Sequence, residues 1–276
     1  MEQVEGSSRT ERETTGPALG NLSVHGLTKR FHGHPVLDDV SLSISRGEVV
    51  ALLGRDGAGK SVCFETIAGL VRPDSGRILL DGIDITVLPT YRRARLGLSY
   101  LPEGQSIFRG LSVGENIEAV LEVSEPDHAR RRARLELILA DFHLGSLRDR
   151  SALTLSGGER RRCEIARAMA ASPSIMLLDE PFAGIDPISI DDIKHVIVGL
   201  RRSGVGVLMT DYDLHDLLDM MDRAYVLHEG RLIFSGGPAE LLGDERVRAL
   251  YLGNGNAEIR RAGKQAPAGP QIGGIA

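Results

Sequence analysis

Cysteine is scarce: only Cys63 and Cys163 occur in 276 residues. Both fall inside helical patterns, which argues against a disulfide framework and for reduced thiols in a reducing compartment. There is no run of about 18 apolar residues, and the polar N-terminus lacks the hydrophobic stretch of a secretory signal. The chain is therefore expected neither to span a membrane nor to be exported, which leaves the cytoplasm and a peripheral place at a membrane through a partner. Excess positive charge is also missing. A formal net charge of −5 and a pI near 5.9 oppose a chain built to hold nucleic-acid phosphates, so no nucleic-acid partner is expected. His25, His32 and His34 have no Cys or carboxylate companions at ligand spacing, so they read as surface residues rather than a zinc site.

What is present centres on Gly54-Arg55-Asp56-Gly57-Ala58-Gly59-Lys60-Ser61, which fits the phosphate-binding spacing G-x-x-x-x-G-K-[ST]. The apolar run Val49 to Leu53 before it reads as a buried strand, and Val62 to Leu70 after it as a helix, the context this motif requires. Glycines at 54, 57 and 59 let the backbone turn tightly and aim N–H groups at phosphate oxygens. Lys60 is placed to reach the β- and γ-phosphates, and Ser61 to offer its hydroxyl to Mg²⁺. Residues Gly54 to Val62 thus form the candidate nucleotide cradle.

Met1 to Gly20 is poor in large apolar residues and reads as a solvated arm, and the Gly- and Pro-rich stretch 254–276 as a disordered tail. Leu22 to Leu27 and Val36 to Ile44 read as antiparallel strands around a turn; Phe31, beside it, either stacks on a nucleobase or anchors the turn. Asp81-Gly82 joins two short strands in a hairpin. Leu98 to Leu101 is a buried strand running into Pro102-Glu103-Gly104, where Glu103 faces the ligand side and can approach a metal. Val113 to Val123 and Asp127 to Phe142 have helical spacing; the arginines at 130, 131, 132 and 134 read as a solvated face. Ser156-Gly157-Gly158-Glu159 opens a further helix as a second anion site. The strand Ser174 to Leu178 ends in Asp179, a candidate Mg²⁺ ligand, and Glu180, placed where a water would attack. Asp186-Pro187 starts a helix, Val205 to Thr210 is another buried strand, and Asp211-Tyr212-Asp213 lies at its end.

The phosphate loop, LSGGE and LLDEP followed by Gly184-Ile185-Asp186 stand in the order and spacing of the ATP-binding cassette ATPases, and the chain resembles them from about 21 to 253. This resemblance implies an α/β fold: a RecA-like phosphate-loop NTPase core, an antiparallel β subdomain and a helical subdomain at about 105–158. It also implies ATP and Mg²⁺ as ligands, and a head-to-tail homodimer or paired subunit in which Ser156 to Glu159 act in trans. Phe31 matches the family's adenine-stacking aromatic and Asp186 its dimer-interface aspartate. LSGGERRRCEIARA and LLDEPFAGIDPISIDDIK resemble the lipopolysaccharide-export group, which implies envelope-lipid export through an integral membrane partner that holds this chain at the inner face of the cytoplasmic membrane. Phe108 and Arg109 stand where that group receives a helix of the partner; core packing is the alternative for Phe108. Pro102-Glu103-Gly104 instead is similar to the branched-chain amino-acid importer group. Most cassette ATPases carry Gln where this chain has Glu103, Pro-Asn where it has Arg55-Asp56, and a switch histidine where it has Tyr212. A neutral phenol cannot carry the histidine's charge, so a slow-hydrolysing, ATP-binding regulatory module is a second expectation. DNA-repair and translation members differ by coiled-coil inserts or a second cassette, neither of which is seen in this sequence.

Overall fold

The computed structural model describes residues 22–252 except 212 and 213. The expected N-terminal arm, C-terminal tail and Tyr212 lie outside the described residues.

A hairpin opens the fold: β1 (Leu22–Phe31) and β2 (His34–Ile44) pair antiparallel, with Leu22 opposite Ile44 and Phe31 opposite His34. β3 (Val49–Leu53) passes through the glycine-rich loop into α1 (Lys60–Ala68). β4 (Ser75–Leu80) and β5 (Ile83–Asp84) extend the first hairpin. Asp81 and Gly82 between them have φ of +50° and +78°, the two left-handed residues that a tight hairpin turn requires. α2 (Thr90–Arg95) precedes β6 (Leu98–Leu101). Then come α3 (Val113–Ser124), α4 (His128–Asp141) and α5 (Gly157–Met169), with α3 packed on both others. β7 (Ile175–Asp179), α6 (Pro187–Arg202), β8 (Gly206–Thr210) and α7 (Leu214–Leu218) follow. The hairpin of β9 (Arg223–His228) and β10 (Arg231–Gly236), with α8 (Pro238–Gly243) and α9 (Glu245–Leu252), completes the order.

Two sheets result. The antiparallel one runs β2-β1-β4-β5, and the larger runs β10-β9-β3-β8-β7-β6 with all neighbours parallel except β9 and β10. Alternate residues of each central strand enter opposite cores. Val49, Ala51 and Leu53 join Met176, Leu178, Val207 and Met209 on one face, whereas Val50 and Leu52 join Ile175, Leu177 and Leu208 on the other. Burial on both faces is why these strands read as unbroken apolar runs rather than alternating ones. Because β3, β6, β7 and β8 run in one direction, their C-terminal ends deliver Gly54, Pro102, Glu180 and Asp211 to the same edge, where ligands bind in open α/β sheets.

α2 has no counterpart in the sequence patterns. Its Arg93 is 2% exposed and donates to the carbonyls of Thr66, Ile67, Thr86 and Leu88, so it closes the C-terminal end of α1. The Ile67 carbonyl, in the last turn of α1, gains in this way a partner that the helix itself does not supply. Among the described residues no helix is long and apolar enough to cross a membrane.

Candidate nucleotide site

The phosphate loop is braced from outside. A Cβ on Gly59, whose φ is +106°, would lie 2.6 Å from the Val36 carbonyl oxygen, so β2 packs directly on the loop and only glycine fits there. Gly230 N–H, in the β9–β10 turn, donates to the Ala58 carbonyl at 3.2 Å. Arg55, Asp56 and Gly57 at the tip are exposed, as is Ser61, while Ala58, Gly59 and Lys60 are buried and Val62 is half-buried. The Lys60 ammonium lies along the loop and donates to the carbonyls of Gly54 at 2.8 Å and Arg55 at 3.4 Å. Gly59 caps α1 without a side-chain hydrogen bond, which leaves the helix N-terminus to an external anion.

Opposite this N-terminus stands Asp179. Its Oδ2 accepts a 3.3 Å hydrogen bond from the Tyr100 hydroxyl, and the Ser61 hydroxyl lies near enough to favour the ionised form. Yet Oδ1 is buried without a hydrogen-bond partner, in a side chain 3% exposed. Burial raises the Asp179 carboxyl above its ordinary range. A buried carboxylate oxygen with a vacant lone pair beside a serine hydroxyl suits a hard, oxygen-seeking cation. Glu180 is half-buried and also raised, first by burial and then by the negative charge of Glu103. Glu103 is exposed, but its field is felt at Tyr100, Asp179 and Glu180 together, so the structure does bring this loop to the acids. Tyr100 was legible in the sequence only as a strand residue.

A second feature that sequence patterns missed is Arg161, 5% exposed in α5. Its guanidinium donates to the carbonyls of Pro102 at 3.0 Å, Asp179 at 3.0 Å, Glu180 at 2.9 Å and Pro181 at 3.1 Å. It also pairs with Glu164 at 3.3 Å, whose Oε1 accepts from the N–H groups of Ser106 and Ile107. One buried cation thus gathers both acid-bearing loops, and the planar fork of arginine is what permits it.

At the start of α5, Ser156 and Glu159 form a reciprocal capping box: Glu159 N–H donates to Ser156 Oγ, and Ser156 N–H to Glu159 Oε2. Hydrogen bonds from Ser156 hold the Glu159 carboxyl below its usual range, and Arg150 pairs with it at 3.1 Å. The box leaves the N–H groups of Gly157 and Gly158 outside it. A Cβ on Gly158 would lie 2.4 Å from that of Ser189, so the start of α5 is pressed against the first turn of α6, which Asp186 caps.

Phe31 is 41% exposed at the end of β1. Lys29 Nζ sits 5.2 Å from the ring centroid, and Asp74 holds both Lys29 at 3.1 Å and Arg30 N–H at 2.7 Å. One aromatic face is therefore taken by a cation and the ring is not core. Phe108 is likewise no core residue: it is 46% exposed, with the Arg167 guanidinium 4.4 Å from its ring centroid. Asn116, fully buried, fixes the Phe108 backbone by accepting from its N–H and donating to its carbonyl. His25, His32 and His34 are exposed.

Residues 37–183, which span the phosphate loop, the capped α5 terminus and the paired acids, match the ABC transporter family. The chain belongs to this family. It is 50% identical over 249 residues to a probable ABC transporter ATP-binding protein of Azorhizobium caulinodans, covering 90% of this chain and 89% of the relative. It is 48% identical over 236 residues to the lipopolysaccharide export system ATP-binding protein LptB of Escherichia coli, covering 85% and 98%. Among solved structures, an ATP-binding cassette of an ABC transporter superposes with a TM-score of 0.77 at 27% identity, covering 85% of this chain and 99% of that one. The ADP conformation of such a cassette gives 0.75. The chain is thus an ATP-binding subunit of an ABC transporter, an ATPase that works with membrane partners, and the expected α/β cassette architecture is the one observed.

Proposed function

We propose that this ABC ATPase hydrolyses ATP as a head-to-tail pair to drive a membrane partner that exports lipopolysaccharide or a related envelope lipid, from the inner face of the cytoplasmic membrane. The observation that carries the export reading is the near end-to-end likeness to LptB, which covers 98% of that relative. The position of Phe108 supports it: an exposed aromatic backed by Arg167 and fixed by Asn116 is a fitting anchor for a partner helix.

Within the site, Lys60 and the loop N–H groups of Gly54 to Ser61 would hold the phosphates, and Phe31 would stack on the base with the face that Lys29 leaves. Ser61 and the vacant oxygen of Asp179 would hold Mg²⁺, with Glu103 nearby; when bound, the cation neutralises charge on the β- and γ-phosphates. Glu180, with its raised affinity for a proton, would draw one from the attacking water. Ser156 and the N–H groups of Gly157 and Gly158 would close the site of the neighbouring chain, since the capping box leaves those donors for an outside anion. The charge-assisted bonds of Lys60 make Lys60→Ala the direct test. By calorimetry with Mg²⁺, this variant should lose most ATP affinity while keeping its fold; equal affinity in mutant and parent refutes the site. Copurification from native membranes in mild detergent tests the partner: envelope-lipid transporter subunits are expected, and amino-acid importer subunits would move the assignment to the reading that Glu103 favours.

A further inference from the structure

Glu180 has a φ of +44°, a left-handed backbone at a residue with a side chain. Such a conformation persists only where its surroundings over-determine it. Here they do. Glu180 N–H donates to the Thr210 carbonyl at 3.0 Å, and the Glu180 carbonyl accepts from Ala183 N–H at 3.1 Å and Arg161 Nη2 at 2.9 Å. Pro181 has no N–H to give, so the next donor along the turn is that of Phe182, and it is received by Asp211 Oδ2 at 3.0 Å.

Thr210 and Asp211 are consecutive at the end of β8, which therefore grips the turn twice, once with backbone and once with a side chain. Asp211 is 9% exposed, and it lies close enough to Glu180 and Arg161 for its charge to be felt at both. A carboxylate withdrawn from water at this depth must be held by specific partners. We propose that Asp211 is a positioning residue for Glu180: by holding the Phe182 N–H it keeps the turn in the strained conformation that aims the Glu180 carboxylate at the attacking water. Without it the turn relaxes toward an ordinary φ, and the carboxylate swings off line while the phosphate loop is untouched.

The inference rests on Glu180 as the group that activates water, and the experiment separates the two ideas. Turnover and calorimetric ATP affinity are measured on the full chain for Asp211→Ala, Asp211→Asn, Glu180→Gln and the Glu180→Gln/Asp211→Ala double variant. Asp211→Ala should lower kcat about a hundredfold, the scale of an ångström-sized misplacement, with ATP affinity within about twofold of the parent. Asp211→Asn keeps an acceptor oxygen for Phe182 N–H and should recover most of the rate. In single-turnover measurements the double variant should be no slower than Glu180→Gln, because the lost positioning has nothing left to position. Asp211→Asn no better than Asp211→Ala, a parallel loss of ATP affinity and rate, or a further hundredfold loss on top of Glu180→Gln would each overturn the inference. Parental turnover in Glu180→Gln would overturn the Glu180 reading and this one together.

Discussion

Replacing Arg161 with methionine keeps an unbranched apolar stem and removes every donor. The carbonyls of Pro102, Asp179 and Pro181 lose their bonds from this guanidinium, and the Glu164 carboxylate, 3% exposed, loses its ion-paired arginine. The Glu180 carbonyl keeps Ala183 N–H, and Glu164 keeps the N–H groups of Ser106 and Ile107, so the loss is partial. Breaking one side of a buried charge pair costs about 3–5 kcal/mol. At about 2–4 °C per kcal/mol for a domain of this size, the melting temperature should fall by about 6–20 °C. Thermal and urea unfolding of the full chain measure this, and turnover at 25 °C should drop further than the unfolded fraction explains, because both acid loops hang from the same guanidinium. Adding Glu164→Leu to Arg161→Met removes the stranded charge and should return part of the loss, a coupling of about 0.5–3 kcal/mol. A melting temperature within about 2 °C of the parent, or a double variant whose loss is the plain sum of the two single ones, would refute the reasoning.

Three other outcomes are expected. Burial raises the Asp179 and Glu180 carboxyls, so the nucleotide-free native state binds more protons than the unfolded chain, and its stability falls as pH rises from the ordinary carboxylate range through the raised values. Asp179→Asn should flatten that fall and stabilise the nucleotide-free protein by about 1–3 kcal/mol, while Mg²⁺ should no longer strengthen ATP binding; a variant less stable than the parent at pH 8 argues against it. Tyr212→His should speed turnover about a hundredfold at matched ATP occupancy; brisk parental hydrolysis unaffected by the exchange refutes this, and a collapse in His215→Ala would assign the role to the exposed histidine of α7. Phe108→Ala should leave basal hydrolysis intact and abolish partner copurification, so normal copurification would discard the contact.

The strands of the larger sheet and the phosphate loop were legible because their signals are local: continuous apolar runs, turn glycines, and a capping serine three residues before Glu159. α2 was not, since TYRRAR has no apolar stripe and Pro89 precedes it without a side-chain cap. Arg161 stood hidden among Arg160 and Arg162, as charged residues are ordinarily exposed. A helical wheel supplies the missing signal, for Gly158, Arg161 and Ile165 recur at the spacing of one buried face. Phe108 could not be placed from sequence, because an aromatic near a helix start is equally at home in a core; only tertiary packing leaves it outside. The target of Asp211 was out of reach for a similar reason, since Phe182 lies on a different strand connection.

The course of α5 has a genetic consequence. With a rise of about 1.5 Å per residue, Ser156 and Arg161 are only about 7–8 Å apart along the axis. In the head-to-tail pair proposed above, however, Ser156 would serve the nucleotide of the neighbouring chain while Arg161 supports the acids of its own. Lesions at these two positions of one chain would therefore fall in different composite sites. A hybrid of one chain lacking Ser156 and another lacking Arg161 would retain one intact site, so partial complementation in trans is expected. The same two defects carried in cis on one chain would spoil both sites of any pair that chain enters, even with a wild-type partner.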